Sequence, residues 1–324
     1  MKLLDIRGYF FPFAYPKAYE YYQKQQKVHW LIDEINLSRD VADWNIKLTN
    51  SEKNVIGTIL KGFTQIEVLV GNYWVAKVCK WFKHDEIQMM AQTNGAFEAI
   101  HTDSYSKLNL ELGLDNFKAF NEEPTIRKKL NRLIETPGKT KKEIAVSLAV
   151  FSAFTEGVSL FSSFAILLNF SRFNKMKGLG QVISFSIRDE SLHSESGCWL
   201  FKQFINEYPE VWTDETKQEI YEAARLTIEL EDAVIDKAFE FGAIEGLDPK
   251  DLKQYIRFRC NTKLQDLGLK SNWKNVDKEA VQRITSWFDV LSNGVEHADF
   301  FSDRVTAYSK GTMDWSNIKF GEKK

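Results

Sequence analysis

Apolar residues along this chain recur at three- and four-residue spacing, and strand-like alternation is scarce. Val55, Ile59, Phe63, Ile66, Val70 and Trp74 form one such stripe. It follows Thr49, Asn50, Ser51 and Glu52, which match a capping box, so a helix is predicted from about residue 50. A second stripe through Met89, Phe97 and Tyr105 predicts a helix that begins after Asp85 and stops at Gly113. Past the turn at Pro137 and Gly138, helices are predicted over 141–172 and 177–206. Beyond Pro209 they are predicted over 214–241, 249–267 and 277–308, with Pro249 tolerated in a first turn. No proline interrupts 17–123 or 138–208, which permits long unbroken helices there. The expected fold class is all-α.

Where charge breaks the apolar pattern, it does so in a repeated way. Glu98 and His101 stand one turn apart in the string Glu-Ala-Ile-His, and Glu190 and His193 in Glu-Ser-Leu-His. A lone carboxylate precedes each pair by about one helical hairpin: Glu67 before the first and Glu156 before the second. From Ala145 to Phe170 the only charge is Glu156, and this run is long enough to cross a membrane. It also carries Ser147, Ser152, Thr155, Ser159, Ser162 and Ser163 and lacks aromatic flanks, so no membrane partner is expected. A carboxylate in the middle of an apolar helix is costly unless it is paired or binds metal.

Four carboxylates and two imidazoles delivered from four helices resemble the dinuclear centre of ferritin-like helical bundles. Glu67, Glu98, His101, Glu156, Glu190 and His193 are therefore the candidate metal ligands. Hard oxygens with two imidazoles suit iron or manganese, whereas a structural zinc site favours thiolates or a closed four-ligand set, and calcium seldom recruits histidine. Six protein ligands for two metals leave positions open for an oxygen species. Tyr105 follows His101 by four residues and shares its face.

Composition narrows the partners. In 324 residues, 43 Lys and Arg against 45 Asp and Glu leave a net charge of −2, with no basic stripe, so no nucleic-acid partner is expected. Cys79, Cys198 and Cys260 form no C-x-x-C pair and read as buried thiols in a reducing compartment. The segment Met1 to Arg7 lacks the apolar core of a secretory signal, and a cytoplasmic location is expected. Residues 1–308 read as a single domain and 309–324, with Gly311 and Gly321, as a flexible tail. His29, His84 and His297 have no matched carboxylates and read as surface or capping histidines.

The strings Phe97-Glu-Ala-Ile-His-Thr-Asp-Ser-Tyr105 and Ile187-Arg-Asp-Glu-Ser-Leu-His193 resemble the radical-generating small (beta) subunit of class I ribonucleotide reductase. The segment His29 to Asp40 resembles that family's N-terminal Trp segment, and Asp299 to Tyr308 its Phe-Phe and tail Tyr motif. The resemblance implies that the six ligands hold the metal pair and that Trp30, Asp189 and Tyr308 carry a proton-coupled electron path to the large catalytic subunit. It also implies a homodimer. Metal-bound imidazoles commonly donate their second N–H to a carboxylate, which makes Asp189 the expected partner of His101 and its link to Trp30. The tail residues Trp315, Ile318 and Phe320 are candidates for docking the large subunit.

One position departs from the familiar members, which have Asp at the first ligand; here it is Glu67, with Tyr105 retained. Two subclasses resemble this chain there. One pairs manganese with iron and replaces the tyrosine by Phe, and the other uses two manganese ions and leaves its tyrosine unoxidised. The retained Tyr105 points to the dimanganese version, Mn(II) at rest and high-valent when activated, with superoxide as the implied activator; two iron ions or a mixed pair are the alternatives. A ferritin-like oxidase or hydroxylase acting on its own bound substrate uses the same ligands, as does a metal-storage bundle. What separates them is Trp30, Asp189, Tyr308 and the tail, because oxidation of a bound substrate needs no exit route for an electron.

Overall fold

The Thr49 hydroxyl accepts the Glu52 N–H at 3.2 Å and the Glu52 carboxylate accepts the Thr49 N–H at 2.8 Å, so the first core helix starts where its capping box lies. In the computed structural model, which describes residues 1–114, 118, 122–134 and 138–293, nearly everything is helical, and no strand forms among those residues beyond one isolated bridge between Ile244 and Leu247. The elements are α1 (Pro16–Lys27), α2 (Ser38–Ile46), α3 (Asn50–Asn72), a π-helical turn over Tyr73–Val78, the short α4 (Cys79–Trp81), α5 (Asp85–Glu111) and α6 (Pro124–Ile134). They continue as α7 (Lys141–Ala149), a second π-helical segment (Val150–Ser159), α8 (Phe161–Arg172), α9 (Lys177–Glu207), α10 (Asp214–Ala238), α11 (Pro249–Asp266) and α12 (Lys278–Asn293).

The predicted stops hold. Gly113 takes φ +70° and the Leu114 N–H returns to the Asn109 carbonyl at 2.8 Å, a left-handed cap that a side chain would strain. The predicted helix over 141–172 differs: it is one continuous rod, but its middle, Val150–Ser159, widens to π geometry around Glu156. Such wide turns free carbonyls from the i to i−4 ladder. Neighbouring elements take them up: Arg259 of α11 donates twice to the Gly157 carbonyl at 3.0 and 3.2 Å, Lys129 of α6 to Ser159 at 3.0 Å, and Ser194 of α9 to Ser152 at 2.7 Å. The long apolar run Lys141–Arg172 is 89% buried over its most apolar stretch, so the bundle interior takes the place of lipid. Helices α1, α2 and α6 were not marked by the apolar stripes, and the part of the predicted 277–308 helix after residue 293 lies outside the described residues.

α3 and α5 run against each other along their length, with α7 to α9 completing the core. Glycine allows the closest approach: a Cβ on Gly71 would come within 3.1 Å of the Glu98 Cβ, and one on Gly95 within 2.6 Å of Val75. The start of α9 is fixed from outside the core. Asp40 of α2 accepts the Gly178 and Leu179 N–H groups at 2.9 and 2.8 Å, and Asp43 accepts that of Met176 at 3.0 Å. These are orphan donors of a helix N-terminus, capped by carboxylates from a distant segment. His84, read from sequence as a surface or capping residue, does sit at the cap position of α5 but is fully buried, its Nε2 3.0 Å from the Lys2 carbonyl; His29 is exposed and His297 lies outside the described residues. Cys198 and Cys260 are buried as expected, whereas Cys79 is partly exposed because it lies on the short outer helix α4. Replacing Asp40 by Ala strips two donors of their acceptor and is expected to lower the unfolding free energy by about 1 kcal/mol, measured as a shift in urea midpoint, with Asp40→Asn losing less.

Candidate metal centre

The helix registers set in the sequence converge on one buried spot. Glu67 comes from α3, Glu98 and His101 from α5, Glu156 from the π-helical segment, and Glu190 and His193 from α9. All six are at most 1% exposed. Their donor atoms form two overlapping groups, each within 4.8 Å: Glu67, Glu98, His101 and Glu190 in one, and Glu98, Glu156, Glu190 and His193 in the other. Glu98 and Glu190 belong to both groups. They could be shared between two metal positions, and the remaining four residues divide into one Glu and one His for each.

Both imidazoles turn Nδ1 inward. His101 Nδ1 is 3.2 Å from Glu98 Oε2 and 3.1 Å from Glu190 Oε1, and His193 Nδ1 is 2.7 Å from Glu98 Oε1. The outward Nε2 of His101 meets Asp189 Oδ2 at 3.2 Å, and the same oxygen accepts the Trp30 indole N–H at 2.8 Å. The other Asp189 oxygen accepts Gln25 Nε2 at 3.0 Å and faces Arg188 at 3.3 Å. The expected line from His101 through Asp189 to Trp30 is thus assembled. Tyr308, its proposed continuation, and the docking candidates Trp315, Ile318 and Phe320 lie outside the described residues. Tyr105 is buried in the same region, its ring 6.4 Å from that of His101, and its hydroxyl donates to Ser186 at 2.6 Å.

Two contributors escaped the sequence reading. Trp74 donates its indole N–H to Glu156 Oε1 at 2.7 Å, and Ser186 accepts the hydrogen bond of the Tyr105 hydroxyl. Trp74 stands two turns after Glu67 and Ser186 one turn before Glu190, so helical spacing held a signal for both.

The electrostatics are those of buried acids and imidazoles pressed together. Both oxygens of Glu67, Glu156 Oε2 and His193 Nε2 are buried without a hydrogen-bond partner. Buried polar groups in folded proteins are almost always satisfied, so this concentration of bare donor atoms in one place fits a pair of hard cations. Burial, then the charges of Glu190 and Glu98, push Glu67 well above the usual carboxylate range, and burial with Glu190 does the same to Glu156. Burial also acts to raise Glu190, but its close contacts with Glu156, His101 and His193 outweigh it and hold Glu190 below that range. For His101, burial opposes the charged form and is overcome by Asp189, Glu190 and Glu98, so its pKa lies well above the ordinary imidazole value. His193 is raised to about 9 because Glu98 and Glu190 outweigh the same penalty.

Comparison with known proteins agrees with this geometry. Residues 7–280 match the family model described as "Ribonucleotide reductase, small chain". The "Probable ribonucleoside-diphosphate reductase small subunit 048L" of Invertebrate iridescent virus 3 is 34% identical, over 97% of this chain and 88% of its own. The ribonucleoside-diphosphate reductase subunit beta of Chlamydia pneumoniae is 28% identical over 94% of this chain and 91% of its own. Among solved structures, the dimanganese(II)-NrdF of Streptococcus sanguinis shares the fold with a TM-score of 0.74 at 23% identity, covering 86% of this chain and 99% of that one. An all-α, ferritin-like bundle, a buried carboxylate and histidine cluster able to hold two metals, and a family match across most of the sequence lead to one conclusion: this chain belongs to the ribonucleotide reductase small-chain family and is a small subunit of that enzyme.

Proposed function

We propose that this subunit holds two manganese ions between Glu67, Glu98, His101, Glu156, Glu190 and His193, and that the oxidant stays on the metals. The observation that carries the reading is the six-residue donor set with its two shared carboxylates and its unpartnered buried atoms. The bound pair supplies the one-electron oxidant that starts reduction of ribonucleotides in the large subunit. The fold match to a dimanganese(II) protein and the Glu at position 67 support manganese over iron. Superoxide as activator, a homodimer, a cytoplasmic location and a single domain with a large-subunit-docking tail over 309–324 belong to the same reading. A bound-substrate oxidase is not favoured, since the relatives are reductase subunits.

The roles of the protein groups follow from their bonds. Asp189 accepts the His101 Nε2 proton and so fixes the ring with Nδ1 facing the ligand oxygens. Through its bond to Trp30 it also joins the centre to the first residue of the proposed path, which Tyr308 would extend to the large subunit. Tyr105 is placed differently. Its phenol donates to a serine, a poor base, and burial followed by the Glu67 charge raises its pKa well above the ordinary value. Oxidising a phenol requires somewhere for its proton to go, which supports Tyr105 as a bystander.

Metal content and EPR of protein isolated from its own cells, together with deoxynucleotide formation with and without the large subunit, test the proposal. The Tyr105→Phe variant is expected to keep deoxynucleotide formation within about twofold, well under the tenfold that a loss of 1.4 kcal/mol would produce; a tyrosyl signal in the parent together with lost activity in the variant sinks the reading. Asp189→Asn is expected to weaken metal affinity or turnover about 10- to 100-fold, read by metal titration and by assay with the large subunit. His193, raised to about 9, holds a proton at neutral pH that a cation must displace, and Glu67, Glu156 and His101 are each shifted toward the protonated form. Manganese binding in weakly buffered solution is therefore expected to release protons, and apparent affinity to rise with pH until His193 has lost its proton near 9. A pH-independent affinity with no acid release contradicts that assignment.

A further inference from the structure

Trp74 touches the half of the centre that Trp30 does not. Its indole N–H is on Glu156 at 2.7 Å and its ring lies 6.2 Å from that of His193. From it a line of aromatic rings runs outward: Trp74 to Tyr73 at 6.5 Å between centroids, then Tyr73 to Trp81 at 5.9 Å. Trp74 and Tyr73 are buried, at 0% and 4% exposure, whereas Trp81 is partly exposed and donates its indole N–H to the Gly138 carbonyl at 2.9 Å. Phe151 lies flat on Tyr73 at 3.6 Å and edge-on to Trp74 at 5.5 Å, which fixes both rings. The π-helical turn that begins at Tyr73 and runs into α4 carries all three oxidisable rings out from the end of α3.

Tryptophan and tyrosine are the aromatic side chains that give up one electron most readily, and tunnelling falls exponentially with distance, so closely spaced rings of this kind act as relays where phenylalanine does not. The surroundings of Tyr105 show the contrast. Its ring neighbour Phe63 leads to Phe164 and then to Phe161, an insulating path.

We propose that Trp74, Tyr73 and Trp81 form a second electron route, joining the His193 half of the centre to the surface beside Gly138 and letting a small diffusible one-electron reductant quench the activated centre without the large subunit. The proposal rests on the metal reading above. One electron passes from Trp74 to the oxidised centre, from Trp81 to Trp74 by tunnelling through the intervening Tyr73 ring, and from the reductant to Trp81. The reductant ends oxidised by one electron, the centre ends reduced by one, and every ring ends as it began. While Trp74 is oxidised its indole proton has Glu156 as acceptor and returns along the same bond, and the Tyr73 hydroxyl, beside Ser147 at 2.9 Å, keeps its proton because no charge rests on that ring.

Tyr73→Phe and Trp81→Phe keep aromatic packing and remove one oxidisable ring each, away from the proposed ligands. Manganese-loaded, activated parent and variants are mixed with ascorbate in the absence of the large subunit, and loss of the metal-centred EPR signal is followed. Decay in either variant is expected to slow about tenfold, with metal content and deoxynucleotide formation with the large subunit equal to those of the parent. Trp30→Phe is expected to show the reverse, lost turnover with unchanged decay. Peptide mapping after activation without reductant is expected to find oxygen added at Trp81 in the parent and less of it in Tyr73→Phe. Unchanged decay in both relay variants overturns the route while leaving the metal reading standing. A parent that loads manganese but shows no metal-centred signal overturns both.

Discussion

Four carboxylates crowded into one dry place repel one another, and the rest of the bundle is arranged against that repulsion. Each buried ion costs several kcal/mol even after relaxation, and Glu67 and Glu156 are driven toward the neutral acid as a result. The helices that carry the ligands therefore need anchorage remote from the centre. Asp40 pins the start of α9 from α2. Gly71 and Gly95 let α3 and α5 close until a Cβ on Gly71 would stand 3.1 Å from that of Glu98, which sets Glu67 against Glu98.

The π-helical segment is the costliest of these arrangements in backbone terms. A regular helix would place its carbonyls in the ladder; here Gly157 and Ser159, on either side of Val158 and just past Glu156, give theirs to Arg259 and Lys129. Arg259 is held in turn over the Phe161 ring at 3.3 Å, and Lys129 pairs with the buried Glu231 at 2.6 Å. Cations from two outer helices thus stabilise a widened turn whose purpose is to bring one carboxylate into reach of α9. Glu231 itself is raised by burial, against the pull of Lys129, so this outer pair is tightly coupled to the packing around it.

Much of this was legible in the sequence, and the part that was not has a physical reason. Period and capping residues located the ligand-bearing helices, because a capping box such as Thr49 to Glu52 and a left-handed stop such as Gly113 are local devices. The ligands themselves were legible because a charge in an apolar stripe has few explanations. The π widening at Val150–Ser159 was not, since it depends on donors in other helices, 30 to 102 residues away, of which Arg259 is the most distant. Asp40 as a cap for α9 is likewise a long-range bond. Trp74 was read as one more core residue because an aromatic in a stripe normally is; only its bond to Glu156 separates it from Phe63 or Trp44.

The doubled Glu and Glu-x-x-His pattern suggests a centre with two equivalent halves, and the ligand atoms alone nearly obey that symmetry. Their neighbours break it. His101 has Asp189, with Trp30 behind it, on its outward nitrogen, whereas the outward Nε2 of His193 lacks a hydrogen-bond partner and its half is touched by Trp74 through Glu156 instead. The centre consequently has a polarity, like a cell with distinguishable terminals. Two chemically identical ions placed in it cease to be interchangeable, and a mixed pair has two distinct orientations rather than one.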